Sequence, residues 1–229
     1  MHFRKSGFYH GPKKLFDRSS HKCTMIPSKR LTDRKRAAIL KASISLFSEL
    51  GFDNTSMDHI AQRAEVSKRT VYNHFPSKER LFEEIVQQLK KDASAAVLLT
   101  YSQEASLEEQ LIGFCRSVID FHSAAESRAL ARALVSRFVQ NPSLGSEMFG
   151  RTKIFEGCLH DWIHAAQKDG RMGPCDIPMA SKQLLALLEA FCVWPQLIRN
   201  MPSPNKLQRT KIAKSAVRLF LGLYSKSAH

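Results

Sequence analysis

The stretch from Thr55 to Phe75, T-S-M-D-H-I-A-Q-R-A-E-V-S-K-R-T-V-Y-N-H-F, decides how this chain folds. Thr55 stands where a side-chain oxygen caps a short helix running to Ala64, and Asp58 three residues on can reach back toward the cap amide, as the acid of a capping box does. Only Glu65 and Val66 intervene before Ser67, which caps a second helix. Pro76 disfavours helical backbone at Phe75, so the second helix ends after about two turns. Ser77 then caps a longer helix with Leu81, Ile85, Leu89 and Val97 along one face.

Two short helices joined by a tight turn make the pattern of a helix-turn-helix, in which the first helix braces the second. Ile60, Ala61 and Ala64, with Val66, Val71 and Phe75, supply the inner faces, Ala61 being small where the helices must approach closely. Lys68, Arg69, Thr70, Tyr72, Asn73 and His74 are left pointing outward. Such a set of cations and donors matches the major groove of DNA: Arg can fork onto guanine O6 and N7, Asn can pair with adenine N6 and N7, and the Thr methyl can meet a thymine methyl. Tyr72, Lys78 and Thr55 are better placed for phosphate oxygens. At Glu65 the turn lacks the glycine that a left-handed backbone favours, and a positive φ there costs about 1 kcal/mol in strain.

Upstream, Thr32 is the natural cap of a helix to Leu50. Leu40, Ile44 and Phe47 form its apolar stripe, widened by Ile39, Leu46 and Leu50, and Gly51 followed by Phe52 supplies the stop. Residues 1–31 show no helical or strand period and read as a basic, disordered extension. Over residues 1–36 eleven Lys or Arg face two Asp, so the extension and its flank hold a net +9 of the chain's +14. Such a field attracts phosphate-rich partners, and Lys29, Arg30, Arg34, Lys35 and Arg36 are placed to add phosphate or minor-groove contacts.

Downstream only helical periods occur: Leu107–Phe121, Glu126–Val139, Leu144–Lys168, Met179 to about Asn200 with a bend at Pro195, and Leu207–Tyr224. Breaks fall at Asn141-Pro142, from Gly170 to Pro174, and at Pro202-Ser203-Pro204. The predicted class is all-α. A helix-turn-helix domain over 32–76 precedes a larger helical bundle over 77–229. Five dispersed cysteines, Cys23, Cys115, Cys158, Cys175 and Cys192, exclude a disulfide framework or a zinc ribbon, and no continuous apolar run has transmembrane length. A soluble, cytoplasmic protein with no membrane partner is expected.

From Ile60 to Leu81 the sequence I-A-Q-R-A-E-V-S-K-R-T-V-Y-N-H-F-P-S-K-E-R-L closely resembles the TetR family of bacterial regulators, and the likeness extends over residues 33–85, including the G-F-x-x-T-S-M segment from Gly51 to Met57. The resemblance implies a DNA-binding domain on a helical domain that binds a small-molecule effector and forms a homodimer through its last two helices. By position it implies that Tyr72, His74 and Lys78 hold phosphates, and that Ser67, Lys68, Arg69, Thr70 and Asn73 include the base readers. The expected function is sequence-specific repression on a pseudopalindromic double-stranded DNA operator, released by the effector, without catalysis, cofactor or metal.

A different class of function is carried by His160-Asp161-Trp162-Ile163-His164, two histidines on one helical face beside an acid, as in a helical metal-dependent hydrolase. Its acid is the shorter Asp and no third ligand is evident, so the pair reads better as partly buried histidines. A helical protein-interaction module leaves the Thr55 to Lys78 pattern without explanation. The dimer surface is expected on Leu184, Leu188 and Phe191 and on Ala213, Val217, Phe220, Leu221 and Tyr224.

Overall fold

The structure, a computed structural model, describes residues 29–144 and 154–226. Of the disordered extension expected over 1–31, residues 1–28 lie outside these residues, as does the part of the expected Leu144–Lys168 helix over 145–153, whereas residues 29–31 are helical. Helix α1 spans Lys29–Leu50. It begins three residues before Thr32, which therefore lies inside the helix and does not cap it: Lys, Arg and Leu are good helix formers and carry the coil one turn further back. Ile39, Leu46 and Phe47 are buried along its inner face. At Gly51 the backbone turns left-handed, with φ +84°, and the Gly51 amide donates to the Phe47 carbonyl at 3.1 Å. Phe52 then drops into the core, its ring centroid 5.2 Å from Phe47 and 5.3 Å from Phe82.

Helix α2 spans Met57–Arg63 and α3 spans Lys68–His74. Glu65 between them has φ +54°, and the turn closes with its amide on the Gln62 carbonyl at 3.1 Å and the Val66 amide on the Ala61 carbonyl at 3.0 Å. Those two bonds are a Schellman stop with Glu in the glycine position, so the strain expected from the sequence is present and the hydrogen bonds hold it. Phe75, in extended backbone before Pro76, closes α3, and Ser77 caps α4, Lys78–Ala96.

The bundle continues with α5, Leu107–Ser123, α6, Ala125–Gln140, and α7, Ile154–Lys168. Helix α8, Ile177–Cys192, is followed by the five-residue α9, Trp194–Ile198, and by α10, Lys206–Tyr224, which starts with an Asn205–Gln208 capping box. Where the sequence reading bends one helix, the structure breaks it in two at Val193. Pro195 has no amide to give the Phe191 carbonyl, and the buried Gln196 side chain supplies that donor through Nε2 at 3.1 Å. Among the described residues there is no strand, only an isolated bridge between Met172 and Ser225.

Apolar side chains gather into two cores. The first joins α1–α3 to Leu81, Phe82, Ile85 and Val86 of α4 and to Leu130, Ala133 and Leu134 of α6. The second is built from α5, α7, α8 and α10, capped by Val97. The first core thus runs past the 76/77 boundary read from the sequence, into α4 and α6. The break in pattern at Pro76 ends a helix but does not end the core. The segment Ile177–Ile198 is long and apolar enough to cross a membrane by length and composition. It is interrupted at Val193, and Ala180, Leu184 and Leu188 face the second core.

Candidate nucleic-acid interface

Helix α3 is held by its neighbours on one side and open on the other. Ser67 Oγ accepts from the Thr70 amide at 3.1 Å, while Val71 and Phe75 are buried against Ile60 and Ala61. Arg63 forks onto both carboxylate oxygens of Glu49, at 3.1 and 3.0 Å, fixing α2 against α1. The guanidinium, followed by the Ser45 hydroxyl, holds the Glu49 carboxyl down at about 2. From the far side Arg36 pairs with Glu84 at 2.7 Å and lies 5.2 Å from the Phe75 ring centroid. Arg36, expected with the arm, is therefore a brace from α1 to α4.

On the open side Lys68, Arg69, Tyr72 and Asn73 are exposed, and Thr70 and His74 are half-buried. Arg69, Tyr72 and Asn73 form no hydrogen bond or ion pair among the described residues, so their donors face solvent. Lys68 is engaged: its ammonium sits 2.8 Å from Asp58, which raises the Lys68 pKa. Ser67 and Thr70 share a hydroxyl–hydroxyl bond of 2.8 Å.

Two residues expected at the phosphates are turned elsewhere. Thr55 is 1% exposed, and its hydroxyl donates to the Gly51 carbonyl at 2.8 Å. The cap of α2 is its neighbour Ser56, whose oxygen accepts from the His59 amide at 3.1 Å. Lys78 points its ammonium at the carbonyls of Phe52, Thr55 and Asp53, at 2.7, 2.9 and 3.3 Å. An ammonium has three donors, and here all three have an acceptor within the fold.

Arg137 of α6, which no local pattern singles out, completes this brace. Its guanidinium lies 4.1 Å from the Phe52 ring centroid and 2.9 Å from the Asp53 carboxylate. In the second core burial pushes the Cys115 and Cys192 thiols up to about 12, which leaves them as inert protonated groups at neutral pH. His160 and His164 diverge in environment: His164 is exposed, whereas His160 Nε2 is buried without a hydrogen bond among the described residues. No group of three His, Cys, Asp or Glu suited to a metal occurs among the described residues.

Residues 39–85 match the family described as "Bacterial regulatory proteins, tetR family", and residues 109–226 match "AefR-like transcriptional repressor, C-terminal domain". The chain belongs to the TetR family. A TetR-family regulator from Pseudomonas syringae pv. tomato str. DC3000 has a crystal structure 40% identical to it, covering 85% of this chain and 98% of that one with a TM-score of 0.75. Salmonella enterica GusR is 26% identical over 86% of this chain and 97% of its own, with a TM-score of 0.66. The transcriptional regulator UidR of Escherichia coli K12 is 27% identical over 154 residues, 66% of this chain and 76% of its own. TetR-family regulators are DNA-binding helix-turn-helix repressors and are generally not enzymes, and α2–α3 is the helix-turn-helix of this one.

On the last two long helices of this TetR-family chain the exposed apolar face differs from the one read in the sequence. Leu184, Leu188, Ala213, Val217 and Phe220 are buried within the chain, and of the expected set Phe191 remains exposed, joined by Leu219 and Leu223. Two open cavities of about 570 and 530 Å³ lie along this α8–α10 face, sharing Leu187 and Leu219. Helical periodicity identified the helices but could not assign which of two apolar faces packs inward.

Proposed function

We propose that the chain is a ligand-responsive repressor acting as a cytoplasmic homodimer on a pseudopalindromic double-stranded DNA operator, with α3 as the reading helix. The observation that carries this reading is the pairing of buried Val71 and Phe75 with unengaged Arg69 and Asn73 on the same two-turn helix. A rigid inner face fixes where the outer donors go, and those donors are the types that fork onto guanine and adenine. Thr70 and Ser67 complete the base-facing edge, Tyr72 and His74 flank it toward phosphates, and Lys68 joins once DNA displaces Asp58. Lys78 and Thr55 act through the brace they make.

The exposed Phe191, Leu219 and Leu223 support dimerisation through α8 and α10, which sets two reading helices about 34–36 Å apart, one turn of DNA. Response to a small molecule is supported by the second core, separate from the reading unit, where Ser123 Oγ, His160 Nε2 and Ser181 Oγ are buried without hydrogen-bond partners among the described residues. Selection of bound DNA from a random duplex pool tests the reading. A two-fold symmetric site is expected, with Arg69→Ala losing about 1–3 kcal/mol at one base pair per half-site. A pool that shows no enrichment, or equal binding to the selected and a scrambled duplex, overturns it.

A further inference from the structure

A further cavity lies away from α3. It measures about 310 Å³ and opens between α1, α6 and the loop from α9 to α10, lined among others by Ser48, Arg128, Arg132, Asn200 and Ser203. Its two arginines stand four residues apart on one face of α6, where like charges repel. Arg128 Nη1 donates to the Ser123 carbonyl and, at 2.6 Å, to Ser203 Oγ. Arg132 Nη2 donates to the Gln196 carbonyl at 2.9 Å and to Asn200 Oδ1 at 2.7 Å.

All four of these partners are neutral. Arg36, Arg63, Arg80, Arg137 and Arg209 each have a carboxylate within 3.0 Å. Among the described residues Arg128 and Arg132 have none, and no acidic side chain of those residues lines the cavity. Each guanidinium has five N–H donors, and the bonds above draw on only one terminal nitrogen of each. Two half-buried positive charges, with spare donors, two hydroxyls and an amide, converge on a space at the small end of ligand pockets.

We propose that this cavity binds a small, multiply charged oxyanion, a di- or tricarboxylate or a phosphate monoester. Bidentate guanidinium–oxyanion bonds are the strongest charge-assisted hydrogen bonds available to a protein, and a doubly charged ligand relieves the repulsion between Arg128 and Arg132. Ser48 belongs to α1 of the DNA-reading unit, whereas Asn200 and Ser203 follow α9 in the helical unit. A bound anion therefore bridges the two parts of the chain.

The test uses the full chain without DNA, so it stands apart from the operator reading. Melting temperature is followed against citrate, against inorganic phosphate and against glucose, with ionic strength held constant by sodium chloride. A saturable rise with citrate or with phosphate, and none with glucose, is expected, the anion that acts deciding between carboxylate and phosphate recognition. Arg132→Gln is expected to weaken the response on the order of 10-fold or more, as loss of a charged hydrogen bond does. Ser48→Asp places a carboxylate in the cavity and is expected to raise the melting temperature of the ligand-free protein while abolishing the response. This variant separates loss of the site from loss of the fold. A response that is absent, that follows ionic strength alone, or that survives both substitutions overturns the proposal.

Discussion

The Lys78 ammonium lies 2.7 Å from the carbonyl oxygen of Phe52 and 4.4 Å from the centroid of that residue's ring. One cation thus closes the α1–α2 turn through both its backbone and its aromatic face. Lys78→Met removes the donor from three carbonyls at once, and a loss of stability of about 1–3 kcal/mol is expected in urea unfolding. Because the ammonium faces inward, the salt dependence of operator affinity is expected to stay as it is. A lysine on a phosphate behaves otherwise: its removal flattens the slope of log affinity against log salt by about 0.9. A flattened slope without a stability loss would return Lys78 to the DNA backbone.

Asp58 holds Lys68 at the rim between α2 and α3, both side chains 60% exposed. An exposed pair contributes on the order of 1 kcal/mol or less to folding, so Asp58→Asn is expected to leave the melting temperature nearly unchanged. Its effect belongs to DNA. The substitution removes a negative charge beside the reading helix and frees the ammonium for a phosphate, so specific and non-specific duplexes both bind more tightly and the salt slope steepens by about 0.9. Filter-binding titrations at two salt concentrations measure this, and an unchanged slope places Lys68 away from the backbone.

Leu219 is 60% exposed on α10, between the two cavities of the α8–α10 face. A carboxylate there disturbs little within the chain but is desolvated wherever two copies meet on this face. Leu219→Glu is expected to sediment as a monomer at micromolar concentration where the parent chain sediments as a dimer. Its helical content should be retained and its operator affinity should fall steeply, since one reading helix then engages one half-site alone. A dimeric Leu219→Glu moves the interface to another surface.

What the sequence discloses here is set by the range of the interaction concerned. Caps and stops act within four residues, so Ser67, Ser77, Gly51 and the strained Glu65 turn are legible, and with them α2, α3 and the start of α4. The choice between adjacent Thr55 and Ser56 is not. It depends on the Leu46 and Gly51 carbonyls, which α1 brings over Thr55 and which turn its hydroxyl inward. Lys78 and Arg137 meet Phe52 from 26 and 85 positions away, a proximity that no helical period encodes. The exposed donors Arg69 and Asn73 follow directly once Val71 and Phe75 are known to point inward. The oxyanion cavity depends on α6 meeting the α9–α10 loop and has no sequence signature.

His122, at the end of α5, packs beside the second core. Its ring lies 5.5 Å from Phe121 and 5.6 Å from Phe155, and burial among such neighbours lowers its pKa to about 4. The unfolded chain holds a proton on this histidine up to about pH 6.5, while the folded chain refuses it until about pH 4. Between those values the unfolded state binds more protons, so stability is complete above about 6.5 and is lost as pH falls toward 4, by on the order of 3 kcal/mol. Glu189 acts in the opposite sense, because burial and then Glu156 raise its pKa and favour the folded state while it is protonated. The two contributions separate in a pair of proteins. Urea unfolding of the parent chain and of His122→Phe at pH 4.5, 5.5 and 7.5 is expected to give curves that diverge toward acid, the variant retaining stability that the parent loses. Parallel curves would mean that His122 carries its proton in the folded state, and the ring would then have to sit in water and not against Phe155.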